Sequence, residues 1–171
     1  MFFDAKNLKI VQAKKKHAYA ITVLTRRFFP YVNFSYQTII ERLSTPTVKY
    51  FVAEYEGHTV GFSDLEFMEQ KMARENMGTV EKNQAKNPLK GRIAKILGLV
   101  VLPEFQGKGI GKKLLLKLLS LAKKKAGSAF ILVAEDNDAQ MLYYANGFER
   151  QGTLDRELGG KKILLLKRVF S

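Results

Sequence analysis

The chain has no cysteine, and among its 171 residues only His17 and His58 are histidines. Without cysteine there is no disulfide, no thiolate nucleophile and no Cys-based zinc site. The two histidines lie far apart in the sequence and beside no acidic cluster, so no metal centre is expected. No apolar run approaches the roughly 20 residues needed to cross a bilayer. The opening M-F-F-D-A-K-N-L-K lacks the basic region, long apolar stretch and small-residue cleavage site of a signal peptide. These absences lead to the expectation of a soluble cytoplasmic protein.

Acidic residues are also scarce. Sixteen Asp and Glu stand against 29 Lys and Arg, a net charge of +13. The excess is spread along the chain: +5 before Gly91 (14 minus 9) and +8 from there on (15 minus 7). It fits a lysine-rich solvated surface equally with a surface that attracts an anionic cofactor or an acidic partner such as nucleic acid or the ribosome. Hydrophobic content of 46% and 11% aromatics argue for a packed core. The length suits one domain over residues 1–171, burying roughly 70% of the surface its unfolded form exposes.

What the chain does have is concentrated between Ile96 and Leu116, I-L-G-L-V-V-L-P-E-F-Q-G-K-G-I-G-K-K-L-L-L. Ile96 to Leu102 has the length and β-branched content of a strand buried on both faces. Pro103 has no N–H for a ladder and ends it. In Gln106-Gly107-Lys108-Gly109-Ile110-Gly111, the alternating glycines let several backbone N–H groups face one ligand without Cβ interference. Lys112 and Lys113 then open a helix, where two cations oppose the macrodipole's partial positive charge, a cost that a bound polyanion reverses. The stretch reads as a phosphate cradle. It lacks the G-x-x-x-x-G-K-[ST] and G-x-G-x-x-G patterns, so a nucleotide loop of either common type is not indicated.

In chain order, Leu8 to Gln12 reads as a strand, Lys15 to Phe28 and Ser35 to Leu43 as helices, and Lys49 to Glu54 as a strand. Glu56-Gly57 makes a hairpin turn into a strand over His58 to Ser63. Beyond it a capping box at Ser63 and Glu66 and a helix face at Leu65, Met68 and Met72 compete with strand alternation, and a strand to about Met68 is favoured. His58 reads as an exposed turn residue. Residues 69–91 form a charged excursion, an insertion or mobile loop with room for a short helix over Glu69 to Met77. A helix from about Gly109 to Lys125 buries Leu114, Leu115, Leu118, Leu119 and Ala122. Phe130 to Ala134 is a buried strand, Ala139 to Ala145 a short helix, and two strands close the chain, about Phe148 to Leu154 and Lys162 to Phe170.

The last helix lies in Asn137-Asp138-Ala139-Gln140-Met141-Leu142-Tyr143-Tyr144-Ala145-Asn146-Gly147-Phe148. Together with L-x-V-x-P-E-F-Q-G-K-G-I-G-x-x-L-L, its L-Y-x-x-x-G-F pattern resembles the GNAT superfamily of acetyl-CoA-dependent N-acetyltransferases. The resemblance covers about Arg92 to Phe170, and the first ninety residues agree in element order only. It implies an α/β fold: one domain with a mixed central sheet of six to seven strands, splayed near the cofactor and flanked by about four helices.

The resemblance also implies acetyl-CoA as acyl donor, without a metal. Leu99, Val100 and Val101 would offer backbone groups to pantetheine, with Gly98 the place where a bulge could release them. Gln106, Gly107, Lys108, Gly109, Ile110, Gly111 and Lys112 would hold the pyrophosphate. Tyr143 would be the general acid that protonates the CoA thiolate, and Tyr144 packing or substrate-facing. Asn137 is the expected CoA contact, although the family's usual N-x-x-A spacing would place Asp136 there. Gln106 stands where many relatives carry arginine.

No strand glutamate matches the base of relatives that acetylate protein N-termini. Asp64, Glu66 and Glu135 are the remaining candidates, each expected to be a solvated or capping carboxylate, and the base stays unassigned. The implied reaction is transfer to a primary amine, of a small molecule, a polyamine or a protein N-terminus. A non-catalytic CoA-binding or nucleic-acid-associated module on the same fold is the other reading. A homodimer and an acidic partner are both compatible with the sequence, and a membrane partner is not expected.

Overall fold

A computed structural model describes residues 2–77 and 91–171. Its strands are β1 Leu8–Gln12, β2 Val48–Tyr55, β3 His58–Met68, β4 Ile93–Val101, β5 Ser128–Ala134, β6 Glu149–Leu158 and β7 Lys161–Val169. Its helices are α1 Ala18–Phe28, α2 Tyr36–Ser44, α3 Gln70–Met77, α4 Ile110–Lys125 and α5 Gln140–Ala145. Among the described residues the strands form one seven-stranded sheet in the order β1-β2-β3-β4-β5-β7-β6. The sheet is mixed. β4 and β5 run parallel, joined through α4, while β1–β2, β5–β7 and β6–β7 are antiparallel. The expected mixed sheet of six to seven strands is therefore found. The β4–β5 register runs from Ile93↔Ser128 to Ile96↔Ile131, after which β4 continues to Val101 and β5 to Ala134.

The chain forms two compact units, Met1–Leu65 with Gly98–Leu119, and Glu66–Leu97 with Ser120–Ser171. In the first, two core clusters use opposite helical partners. Ala18, Ile21 and Leu24 of α1 and Ile39 of α2 pack with Val48, Tyr50, Val52, Phe62 and Val100. Ile110 and Leu114 of α4 pack with Ala53, Tyr55, Val60 and Phe105. Strands covered by helices on both faces read as near-continuous apolar runs.

The local devices match their residues. Ser35 caps α2, its hydroxyl accepting from the Thr38 N–H at 3.1 Å. Glu56 and Gly57 both have positive φ, 49° and 81°, the backbone required by a two-residue hairpin turn. The helix expected from Lys15 starts as a 3-10 turn, Lys15–His17, because buried His17 is anchored there. Its Nδ1 accepts from the Lys14 N–H, so the Nε2 proton goes to Glu54 of β2, whose carboxyl this bond chiefly holds below the usual range.

In the second unit, Ala73 and Met77 of α3 pack with Met68, Ile93, Phe130, Leu154, Ile163 and Leu165. The excursion expected over 69–91 thus opens as a helix with a buried face, while residues 78–90 lie outside the described residues. The end of α3 is held at Asn76, whose Oδ1 accepts from Lys95 Nζ at 2.8 Å and whose carbonyl accepts from Arg156 at 3.0 Å. Cations at a helix C-terminus complement its dipole.

Candidate acyl-donor site

In the first unit, β4 runs into a 3-10 turn at Pro103–Phe105 and then into α4. Leu102 closes the strand by donating its N–H to the Val60 carbonyl at 2.9 Å. Gly107 and Gly109 have φ of 74° and 78°, left-handed conformations that favour glycine. Each has nothing within 4 Å of where a Cβ would stand. The glycines are thus required by backbone shape, and the space over them is open. The first bond of α4 joins the Lys113 N–H to the Gly109 carbonyl at 3.1 Å. The N–H groups of Ile110, Gly111 and Lys112 precede it and have no intrahelical acceptor. Three such groups at a positive helix end, preceded by two left-handed glycines, form a cradle that fits a pyrophosphate.

The side chains of this turn do other work. Gln106 donates its amide to the Val101 carbonyl at 2.9 Å, tying the turn back to the strand. The ammonium of Lys108 lies 5.4 Å from the centroid of the Phe3 ring. Ile110 is buried and anchors the helix, whereas Lys112 is exposed. Val100 is buried in the cluster beneath α1 and α2, and Leu99 and Val101 pack against the opposite one, as strand alternation requires.

The carboxylates part company with expectation. Asp64 is neither solvated nor capping: it is 2% exposed, and three elements close on it. Its Oδ1 accepts from the Gly98 N–H of β4 at 2.9 Å, and its Oδ2 accepts from Arg42 of α2 at 3.1 Å. Arg42 also donates to the Tyr50 hydroxyl at 2.8 Å, and that hydroxyl is hydrogen-bonded to Asp64. Burial pushes the Asp64 carboxyl up to about 6, against the opposing pull of Arg42 and of the bonds from Gly98 and Tyr50. Burial, then the Asp64 charge, push the Tyr50 hydroxyl upward. With both oxygens engaged and no solvent face, Asp64 is not placed to take a proton from an incoming amine. Glu66 is half-buried and Glu135 exposed at the end of β5.

In the second unit, Tyr143 is 3% exposed on α5 and packs edge-on against Phe148, with centroids 5.8 Å apart. Its carbonyl accepts from the N–H groups of both Asn146 and Phe148, which closes the helix tightly at Gly147. Tyr144 is on the exposed side, its hydroxyl 3.4 Å from Gln140 Oε1. Asn137 is exposed, and its Oδ1 accepts from the Ala139 N–H at 2.9 Å, a local turn that starts α5. Asp136, the alternative to Asn137, instead pairs with Lys161 at 2.7 Å, which holds its carboxyl below the usual range. Among the described residues no group of three or more His, Asp or Glu side chains is placed to hold a metal, and no helix is long and apolar enough to cross a membrane.

Known proteins share this fold. Residues 18–148 match the acetyltransferase (GNAT) family. The N-alpha-acetyltransferase RimI of Mycobacterium tuberculosis is 45% identical over 51 residues, 29% of this chain and 31% of that protein, so the chain matches about a third of that relative's length. Among solved structures, Arabidopsis thaliana NAA60 in complex with a bisubstrate analogue matches with a TM-score of 0.77 at 16% identity, covering 96% of this chain and 99% of that one. Arabidopsis thaliana Naa50 with the bisubstrate analogue CoA-Ac-MVNAL gives 0.72 at 18% identity, covering 96% and 99%. The ribosomal-protein-S18-alanine N-acetyltransferase of Escherichia coli gives 0.70 at 15%, covering 96% and 94%. At such identities the structural likeness is one of fold, and the family match over most of the chain carries the assignment. The chain belongs to the acetyltransferase (GNAT) family.

Proposed function

We propose that the chain is an N-acetyltransferase, acting as one catalytic domain, that moves the acetyl group of acetyl-CoA to a primary amine by direct attack. The observation that carries this reading is the cradle: two left-handed glycines with open space above them, leading into three helix-start N–H groups. Gly107 to Lys112 bind the pyrophosphate through backbone N–H groups, each charge-assisted bond contributing about 1.5–3 kcal/mol. Backbone groups of Leu99 to Val101 align the pantetheine arm, and Gln106 keeps the strand and turn together through Val101. Asn137 contacts CoA beside α5.

Acetyl-CoA supplies an acyl group activated as a thioester. The amine reacts in its neutral form: a C–N bond forms, the C–S bond breaks, and Tyr143 gives its hydroxyl proton to the departing sulfur. The proton shed by the amine balances the one delivered to sulfur.

A protein or peptide N-terminus is the acceptor we favour. Support comes from the named relatives, an N-alpha-acetyltransferase and a structure bound to a CoA–peptide conjugate. Asp64 weighs against a polyamine, because it is buried and ion-paired and so cannot help to line an acidic acceptor site. The test is a panel of N-terminal peptides, polyamines and small amines with labelled acetyl-CoA. Label on peptide α-amines is the expected result. Label only on polyamines or small amines would overturn the acceptor assignment, and binding of acetyl-CoA with no product from any amine would favour a non-catalytic CoA-binding module.

Gly109→Ala is expected to weaken acetyl-CoA about tenfold by calorimetry, since a left-handed alanine costs about 1–2 kcal/mol and the cradle relaxes to relieve it. Unchanged affinity would remove the turn from the binding site.

A further inference from the structure

Asp64 is a buried carboxylate that the reaction as described does not use. Its oxygens are distributed between two tasks. One is paired to Arg42, which is steadied in turn by the Tyr50 hydroxyl and lies 4.9 Å from the centroid of the Phe34 ring. The other takes the N–H of Gly98, the residue that leads β4 into Leu99–Val101. The site has no room for a side chain at Gly98: a Cβ there would lie 2.8 Å from Asp64 Oδ1 and 3.1 Å from the Phe62 ring. An α2 guanidinium, a β2 hydroxyl and a backbone N–H of β4 thus converge on one β3 carboxylate.

We infer that Asp64 is a positioning residue for the acyl donor: held by Arg42 and Tyr50, its carboxylate fixes the Gly98 N–H and with it the Leu99–Val101 backbone in the form that binds acetyl-CoA. The inference rests on the acetyl-CoA reading above.

The groups facing Asp64 are Arg42 from α2, Tyr50 from β2 and the Gly98 N–H from β4, and Arg42 supplies the charge that opposes its protonation. Below about pH 6 the carboxyl takes up a proton and its hold on Gly98 and Arg42 slackens. The sign of the stability effect separates this from unfolding. The folded-state value lies above the ordinary 3.8, so this group's contribution to stability falls as pH rises from 3.8 to about 6 and is level above. Acidification through pH 6 therefore costs donor affinity without costing stability through Asp64.

The experiment is a calorimetric titration from pH 7.5 to 5 with acetyl-CoA and with its form lacking the 3′-phosphate, because phosphate itself titrates near pH 6. For the wild type, affinity for the dephosphorylated donor is expected to fall up to about tenfold with a midpoint near 6. Asp64→Asn is expected to bind at the weak level throughout, without a midpoint, because its amide accepts from Gly98 but does not ionise. Arg42→Gln is expected to move the midpoint upward. A flat wild-type titration overturns the inference even if neither variant folds, and so does an Asp64→Asn protein that binds as tightly as wild type at pH 7.5. No binding of either donor at any pH overturns the acetyl-CoA reading as well, whereas binding indifferent to pH overturns this inference alone.

Discussion

Tyr143→Phe is expected to lower kcat about 100-fold while leaving the dissociation constant for acetyl-CoA within about twofold. General acids contribute about 10²–10⁴-fold. The lower end applies here because a thiol, with a pKa of about 8.5, leaves with modest help. The phenyl ring keeps the contact that Tyr143 makes, edge-on against Phe148 in a buried position, so α5 and its closing turn at Gly147 are retained. Only the hydroxyl is removed. Steady-state rates with the best acceptor from the panel, and calorimetry with acetyl-CoA, check the two halves separately. An unchanged kcat would take the acid role from Tyr143 and leave the fold untouched. A loss of donor affinity as large as the loss of kcat would make the residue a packing element of the donor site.

The second large effect belongs to Gly61, and it is one of stability. A Cβ at this position would stand 2.5 Å from the Val100 carbonyl oxygen and 3.3 Å from Val101 Cα, both of them backbone. No side-chain rotation relieves such a contact, so β3 and β4 must separate. Overpacking costs about 1–3 kcal/mol, and a backbone obstacle puts Gly61→Ala at the upper end. A loss of about 3 kcal/mol lowers Tm by about 6–12 °C for a chain of this size. Thermal unfolding followed by circular dichroism reads it directly. A midpoint within about 2 °C of wild type would mean that the two strands are not held this close in solution. Because Val100 and Val101 belong to the proposed pantetheine strand, soluble Gly61→Ala protein is also expected to bind acetyl-CoA more weakly.

Wherever a few neighbouring residues decide the backbone, the sequence was enough. Glu56-Gly57 makes a two-residue hairpin with both residues at positive φ, and Ser35 caps its helix. Pro103 follows the strand end, and the two motifs that mark the family lie on and beside α4 and α5. The individual strands were legible on the same grounds, and the mixed sheet of six to seven strands followed from the family resemblance. Elements that depend on distant partners were not. β4 begins at Ile93, before the run expected from Ile96, because Ile93–Ile96 pairs with Ser128–Ile131 and Lys95 finds Asn76. α3 has few apolar residues of its own and is held by Ala73 and Met77 in a cluster with residues of five strands.

Asp64 shows the division most sharply. Its neighbours in sequence, Ser63 and Leu65, say nothing of its charge partner, and a lone carboxylate in a strand is ordinarily solvated. Arg42 lies 22 residues away and Gly98 lies 34 residues away, with no periodicity linking the three. The residue types and turns alone carried the family resemblance, and through it the proposed donor cradle and the proposed acid. Only the tertiary structure decided that Asp64 is buried, paired and bonded to the strand beside the cradle, because burial and ion pairing are set by which distant segments fold against each other.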